Sequence, residues 1–326
     1  VDDFVHRSLI FIQMFGVAVM GLSVSNAFGD LAAQFALGNV ITRLMLVLMY
    51  LRAARVHPES ATMSQYYAAG FSIGTLIWSG SLLLDEFQWL AWLIAIVCEF
   101  FVLLMPGMRQ SQRQWPVDTH HITERFGIFT IILLGESFVK ILDDAQGTRV
   151  GPEQLVFSVG GLLVLYSLWW LYFSDTAEKP IGYAKGWHPI AWLYGHLPLA
   201  AGLVAFGVGA KKLYAETFEF TGEALTPKYR LLYTAALVLY LLALALIDLG
   251  IDDEETYAKQ NREALVHLIC AVVIGIIGIT MTGLNAIAFV IIMAVVMVGQ
   301  VAYSIYLSQQ EEQTARHNKA EEVQEA

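Results

Sequence analysis

The stretch HHITERFGIFTIILLGESFVKILDD, residues 120–144, combines the apolar character of a membrane-spanning helix with several charged side chains. About 20 residues suffice to cross a hydrocarbon layer of roughly 30 Å as a helix. Glu124, Arg125 and Glu136 nevertheless lie within this stretch. Ionised groups at membrane depth are costly, and they usually face the interior of a helix bundle or a water-filled cavity. The stretch therefore predicts a spanning helix with a polar face.

The ionisable residues of this stretch are predicted to lie on one side of its helix. Positions four and eleven residues apart share a helix face at about 100° per residue. His121, Arg125 and Glu136 therefore form one stripe, and Glu124 lies beside it. We expect this stripe to contribute to a binding site for a small solute or ion.

The rest of the chain has the composition of a polytopic membrane protein. Hydrophobic residues make up 57% of the chain and charged residues 15%, with a mean hydropathy of +0.57, whereas soluble domains carry about 25% charged residues. Because lipid leaves no backbone group unpaired, the apolar runs are predicted to be helices. The sequence thus predicts an all-α, polytopic transmembrane helical bundle of about ten spanning helices. The ten runs cover roughly residues 8–28, 31–54, 64–84, 86–105, 120–142, 153–173, 188–210, 229–249, 264–282 and 284–307.

Most connections between these runs are short, which favours antiparallel neighbours in one compact bundle. We therefore expect residues 1–308 to form a single transmembrane helical domain and residues 309–326 to form a polar C-terminal tail. If the N-terminus is cytoplasmic, eleven lysines and arginines fall on the cytoplasmic side and six on the other. This bias predicts that both termini are cytoplasmic.

Charge and cysteine content exclude several classes of function. The formal net charge is −10, which argues against a nucleic-acid partner. Cys98 and Cys270 lie inside apolar runs. We therefore expect them to be small buried apolar side chains and not part of a disulfide framework or a metal site. We expect no metal and no cofactor. The expected partners are membrane lipids and a small solute or cation, and the bundle could also form a homo-oligomer.

Four stretches of the sequence resemble the bacterial low-temperature-requirement A (LtrA) family of membrane proteins. They are GNVITRLMLVLMYLRAAR (38–55), ERFGIFTIILLGES (124–137), LWWLYFSD (168–175) and YGHLPLAAGLVAFGVG (194–209). The resemblance covers most of residues 30–212 and, more loosely, the rest. It implies a multi-pass protein of the bacterial inner membrane. A segment like Phe-Phe-Asp-Leu-Val-Phe-Val, usual in the family's first helix, is not found here.

Arg43 lies near the middle of the second apolar run, where an arginine must find a partner or water. Glu99, in the middle of the fourth run, and Glu136 are the candidate partners. Two interpretations stay open for Arg43. It is either a fixed cation in a functional site or half of a structural pair between helices.

Alternatives also remain for the other candidate site residues. Glu136 either pairs with Lys140 four residues on or acts as a protonatable or cation-coordinating carboxylate, with the Ser137 hydroxyl as a second ligand. His121, at the mouth of its helix, is either a pH-responsive group or an interface histidine. Two interpretations also remain for His196. Because its helix contains a proline, as helices at transporter sites often do, it is either part of such a site or a hydrogen-bonded histidine between helices.

The later apolar runs are expected to be less functional. Asp248 is expected to begin a solvated acidic stretch, and His267 and Asn285 are expected to form hydrogen bonds across helices.

Three functions are compatible with these features. The first is a secondary transporter or channel-like protein, because charges at membrane depth exceed what packing requires. The second is a lipid-handling intramembrane enzyme that uses His121 and Glu124 as an acid–base pair, although no nucleophile or metal-ligand spacing accompanies them. The third is a structural or accessory membrane subunit.

Overall fold

The computed structural model describes residues 3–84, 86–115, 118–143, 151–175, 188–220, 226–251 and 257–325. The described chain is helical and holds no strands, so the all-α prediction is confirmed. It divides into two compact units, Val1–Val117 and Asp118–Ala326. A single transmembrane domain over residues 1–308 stays a prediction.

The first unit contains five α-helices, each packed against its neighbours in the chain. The α1 helix begins after Asp3, whose side chain accepts a hydrogen bond from the His6 backbone N–H at 3.0 Å, as an N-cap should. The short α5 begins at a proline, whose missing N–H is not needed in a first turn. The helices are α1 Phe4–Ser23, α2 Ala32–Val56, α3 Ala61–Ser81, α4 Gln88–Leu104 and α5 Pro106–Gln114.

Two glycines bring α1 and α2 into backbone contact. A Cβ atom added at Gly16 would lie 3.0 Å from the Gly38 carbonyl oxygen, and one at Gly38 would lie 2.8 Å from the Gly16 carbonyl. Small residues allow this close approach in membrane helices, where packing drives association. Most of the remaining surface of α1 is exposed and apolar.

The described residues of the second unit form six α-helices. Among them, α8 and α9 share the most extensive packing, and α8 is continued by a π-helical turn at Glu216–Phe220. Gly202 on α8 makes this possible, because a Cβ atom there would lie 2.9 Å from the Ala236 carbonyl oxygen and from the Tyr240 N. The helices are α6 Thr119–Asp143, α7 Pro152–Asp175, α8 His188–Ala215, α9 Pro227–Asp248, α10 Tyr257–Thr280 and α11 Ala286–Glu325.

All ten predicted spans are helices in the structure. Seven of the described helices are long and apolar enough to cross a membrane, and eight if the bent pair formed by α4 and α5 counts as one span. The helices α3 and α6 are 21 and 25 residues long, yet they are not among the seven. Serines and glycines lower the hydropathy of α3, and five charged residues lower that of α6.

Candidate functional site

A charged pair joins α2 to α4 inside the first unit. The Arg43 guanidinium donates two hydrogen bonds to the Glu99 carboxylate, one of them from Nη2 at 3.0 Å. Its Nη1 donates a third to Asn39 Oδ1 at 2.7 Å. The structure therefore selects Glu99 as the partner of Arg43. This two-pronged contact is the strongest geometry available to an arginine and a carboxylate.

The pair packs against α3 and keeps a small exposed fraction. The Arg43 Cζ lies 5.0 Å from the centre of the Trp78 ring, within the range of a cation–π contact. Gly74 provides the space for the carboxylate, because a Cβ atom there would overlap Glu99. The side chains of Arg43 and Glu99 keep 14% and 16% of their surface exposed.

A cavity of about 380 Å³ lies at one end of the first unit. Its polar lining includes Asp30 and Glu86, and its apolar lining includes Trp92. Trp92 stacks on Trp78 with ring centres 5.3 Å apart, so a chain of contacts leads from the cavity to Arg43. The full lining is Ala27, Phe28, Gly29, Asp30, Ala32, Ala33, Leu82, Leu84, Glu86, Gln88, Trp89 and Trp92.

The stripe predicted on α6 is exposed in the structure. His121, Glu124, Arg125 and Glu136 all have exposed side chains. Asp118 caps the helix by accepting hydrogen bonds from two backbone N–H groups at 3.1 and 3.3 Å. The four residues share the exposed side of α6, and their role in binding stays a prediction.

A small cluster forms at the first turn of α6. His121 Nδ1 lies 3.7 Å from Glu124 Oε2, and His121 Nε2 lies 3.8 Å from Asp118 Oδ2. Ligand atoms of His120, His121 and Glu124 come within 4.8 Å of one another, which is close enough for one metal ion. All three side chains are exposed. The expectation that no metal binds here remains a prediction.

Glu136 and Ser137 point in different directions. The Glu136 carboxylate, 57% exposed, pairs with Lys140 Nζ at 2.9 Å. Ser137 is buried and donates a hydrogen bond to the Leu203 carbonyl oxygen of α8 at 3.0 Å. A cation held jointly by these two side chains is therefore not assembled. Gly207 of α8 provides the room for this contact, because a Cβ atom there would lie 2.8 Å from Ser137 Oγ.

Both ring nitrogens of His196 have hydrogen-bond partners between the helices. Its Nδ1 lies 2.8 Å from the Trp192 carbonyl oxygen, and its Nε2 lies 3.1 Å from the Tyr172 hydroxyl. Since a carbonyl oxygen only accepts, Nδ1 carries the proton and Nε2 accepts from Tyr172. The rings of Phe126 and Trp192 cover the imidazole at 4.4 and 4.3 Å between centres. The histidine thus links α6, α7 and α8.

The structure corrects one expectation from the sequence and adds a second polar cluster. Asp248 was expected in a solvated stretch, but its side chain is fully buried, 3.3 Å from His267 Nε2 of α10. The amide of Gln300 on α11 contacts the other ring nitrogen of His267, so the contact across helices predicted for His267 is present. Asn285 instead accepts a hydrogen bond from the Ala288 N–H of its own helix at 2.8 Å. Glu263 is also buried nearby on α10. One signal pointed to this cluster: a histidine and a glutamine each stand alone in an apolar run.

Together, the fold and these buried charges define a polytopic helical membrane protein. Residues 1–302 match the family model described as bacterial low temperature requirement A protein (LtrA). The chain therefore belongs to the bacterial low temperature requirement A family, as its four sequence stretches indicated.

A curated relative and the solved structures add little about chemistry. The chain is 28% identical over 222 residues to an uncharacterised protein of Rhizobium meliloti (strain 1021). The match covers 62% of this chain and 53% of that protein, so the chain spans about half the length of this relative. No solved structure matches the chain significantly.

Proposed function

We propose that this protein is a secondary transporter or channel-like protein that moves a small cationic solute or ion across the membrane. The observation that carries the proposal is the cavity of about 380 Å³ in the first unit, whose wall contacts a partly buried charged pair through Trp92 and Trp78. Cavities for small molecules start at about 300 Å³ and combine apolar walls with a few polar groups. This cavity has both features.

The lining chemistry favours a positively charged passenger. Asp30 and Glu86 supply negative charge at the cavity, and Trp89 and Trp92 supply aromatic faces. Aromatic rings with nearby carboxylates are the usual recognition chemistry for ammonium groups.

The Arg43–Glu99 pair contains a carboxylate that can bind the passenger in place of Arg43. Glu99 is bonded to Arg43, and an incoming cation competes with the guanidinium for the carboxylate. An exchange of this kind is cheap only where water reaches the pair, which fits the exposed fractions of both side chains. We keep in this proposal the eight candidate site residues expected from the sequence: Arg43, Glu99, His121, Glu124, Arg125, Glu136, Ser137 and His196.

The membrane and the orientation are part of the same proposal. Membership of a bacterial family and the bias of lysine and arginine support the bacterial inner membrane with both termini in the cytoplasm. Membrane lipids surround the bundle, and a homo-oligomer is compatible with the large apolar surface.

A lipid-handling enzyme is the second candidate, and one contact favours it. His121 Nδ1 and Glu124 Oε2 lie 3.7 Å apart on the exposed surface of α6. An acid–base pair in hydrogen-bonding reach of a substrate is the minimum such an enzyme needs. Lipid turnover that is lost in His121→Ala, in the absence of solute uptake, would favour this candidate.

Uptake by proteoliposomes tests the transport proposal. We expect purified protein to accumulate radiolabelled tetramethylammonium when the lumen is negative, and empty liposomes not to do so. The double variant Asp30→Asn/Glu86→Gln removes the charge of the cavity and should reduce uptake about tenfold at low concentration, for two weakened interactions of roughly 0.7 kcal/mol each. The matched control is Glu59→Gln, an exposed carboxylate whose Oε1 lies 3.3 Å from His57 Nδ1.

The same assay tests the signature helix. If the exposed stripe of α6 lines the path of the passenger, Glu136→Gln and Arg125→Ala reduce uptake in protein that remains folded. Unchanged uptake in both variants would remove α6 from the path. No uptake of tetramethylammonium, Na⁺ or K⁺ by the unmodified protein would contradict the transport proposal itself.

A further inference from the structure

Two adjacent histidines and a glutamate meet at the start of α6. The nitrogen and oxygen atoms with which His120, His121 and Glu124 would bind a metal all lie within 4.8 Å of one another. Among the residues that the structure describes, this is the only group of three histidine, cysteine or carboxylate side chains that converges in this way. All three side chains are exposed, so their ligand atoms can move closer together without disturbing the packing of the helices.

Glu124 brings the two histidines into one site. Adjacent residues on a helix point about 100° apart, so the two imidazoles by themselves would not share an ion. Glu124, however, follows His120 by four residues and His121 by three, and residues three and four apart are neighbours on a helix surface. Four residues is also the spacing of the two histidine ligands in helical zinc sites. The carboxylate therefore lies next to both rings, whose centres are 6.0 Å apart.

The distances in this cluster suit an ion that forms short bonds to nitrogen. A tetrahedral zinc ion with bonds of about 2.0–2.1 Å holds its ligand atoms roughly 3.4 Å apart. His121 Nδ1 lies 3.7 Å from Glu124 Oε2, so this pair is already close to that separation. The other ligand atoms are up to 4.8 Å apart. A small rotation of exposed side chains is enough to close that gap.

Asp118 supports the cluster from the residue before the helix. Its Oδ1 accepts hydrogen bonds from the backbone N–H groups of His120 and His121 at 3.1 and 3.3 Å, which fixes the position of the carboxylate. Its Oδ2 lies 3.8 Å from His121 Nε2. When Nδ1 binds a metal, Nε2 carries the ring proton and faces this carboxylate. Histidine ligands in metal sites usually donate their second N–H to such a group, which fixes the ring and raises its basicity.

The charges of the cluster also favour a cation. The first turn of a helix carries a partial positive charge, which by itself repels one. Asp118 and Glu124 place two carboxylates beside the His121 ring, and these offset that repulsion. Arg125, the next residue in the chain, points about 100° away from Glu124 around the helix.

We propose that His120, His121 and Glu124 bind a divalent transition-metal ion of the zinc type, and that Asp118 positions His121. Two imidazole nitrogens and one carboxylate oxygen suit zinc, copper or nickel, whereas Mg²⁺ and Ca²⁺ take ligand sets made of oxygen. This site replaces the expectation from the sequence that no metal binds. It is independent of the proposed function, because binding of the ion requires neither transport nor lipid turnover.

Calorimetric titration with Zn²⁺ tests the site. The full chain, without an affinity tag, is placed in nanodiscs of phosphatidylcholine at pH 7, and empty nanodiscs give the reference. We expect one equivalent of Zn²⁺ to bind and an excess of Mg²⁺ not to displace it. His120→Ala and Glu124→Gln each remove a ligand, and Asp118→Asn removes the carboxylate behind His121. Each change should weaken Zn²⁺ binding about tenfold or more.

The matched control is His57→Ala, which removes a single exposed histidine whose Nδ1 lies 3.3 Å from Glu59 Oε1. This variant should bind Zn²⁺ as tightly as the unmodified protein. Nuclear magnetic resonance of ring-labelled histidines adds a measurement that needs no variant to bind. In the unmodified protein, Zn²⁺ should shift the ring signals of His120 and His121, assigned with their alanine variants, and leave that of His57 in place.

Three outcomes would overturn the site: no binding above that of empty nanodiscs, equal affinity in His120→Ala and the unmodified protein, or ring signals of His120 and His121 that do not respond to Zn²⁺. Displacement of Zn²⁺ by Mg²⁺ would overturn the assignment to a transition metal. Unchanged affinity in Asp118→Asn would overturn the positioning role of Asp118. Because none of these measurements involves solute uptake, their failure leaves the proposed function standing, and a protein that binds Zn²⁺ without uptake would lose only that function.

Discussion

At the scale of single residues, Gly74 decides whether the Arg43–Glu99 pair fits. If residue 74 of α3 carried a side chain, its Cβ atom would overlap the Glu99 carboxylate. The first unit thus places a charged pair and a glycine on three different helices. Removing one partner of a buried ion pair typically costs about 3–5 kcal/mol, because the other charge is left without compensation.

Gly74→Ala should therefore destabilise the protein by about 1–3 kcal/mol, the usual cost of forcing extra atoms into a packed site. Gly80→Ala is the matched control, because a Cβ atom at this position of the same helix meets nothing within 4 Å. Alanine is a better helix former than glycine, so the control should be neutral or slightly stabilising. Thermal unfolding of both variants in nanodiscs checks the difference, and equal stabilities would contradict the close packing of Glu99.

The sequence was informative about residue types but not about their partners. Arg43 had to be paired because of its depth, yet Glu99 and Glu136 were equally good candidates. Which of them lies beside Arg43 depends on the packing of α2, α3 and α4, which no local pattern encodes. Asp248 was misjudged for a related reason. It precedes a run of acidic residues, and only the packing of α9 against α10 shows that its own side chain is buried.

At the scale of helices, periodicity and length predicted the elements well. Each of the ten apolar runs is a helix, because a backbone in lipid has no other way to satisfy its polar groups. Whether a helix spans was harder to predict for α3 and α6. Both are long enough, but their polar residues make them less apolar than the other spans.

The start of α1 is tied to the end of α2 by an ion pair that should respond to acid. The Arg52 guanidinium and the His6 backbone N–H lower the pKa of the Asp3 carboxyl from 3.8 to about 2. A carboxyl whose pKa is lower in the folded protein stabilises the fold above its unfolded pKa. That contribution is present above about pH 4 and is lost as the pH falls through about 2.

Spin labels at Phe4 and Val56, two exposed positions next to this contact, check the pH dependence. We expect the distance distribution to be narrow at pH 6 and to broaden as the pH is lowered toward 2. Asp3→Asn should give the broad distribution at both pH values. A distribution that stays narrow at pH 2 in the unmodified protein would show that Asp3 and Arg52 do not hold these ends together.

At the scale of the whole molecule, charged side chains lie inside both helical units. Composition alone predicted a membrane bundle, because 15% charged residues in 326 is too few for a soluble surface of this size. It did not predict that the charges would separate into a pair in the first unit and a carboxylate–histidine cluster in the second. Each group costs stability where it lies, which favours a use for both beyond packing.

The central claim is that the Arg43–Glu99 pair belongs to a path for a cation and is more than a brace between helices. The most direct test is the exchanged variant Arg43→Glu/Glu99→Arg, which keeps the attraction between α2 and α4 but reverses its direction. The measurement is tetramethylammonium uptake by proteoliposomes, with thermal unfolding as the check on folding. We predict a folded protein whose uptake falls to the level of empty liposomes. A folded exchanged variant that transports as well as the unmodified protein would contradict the claim.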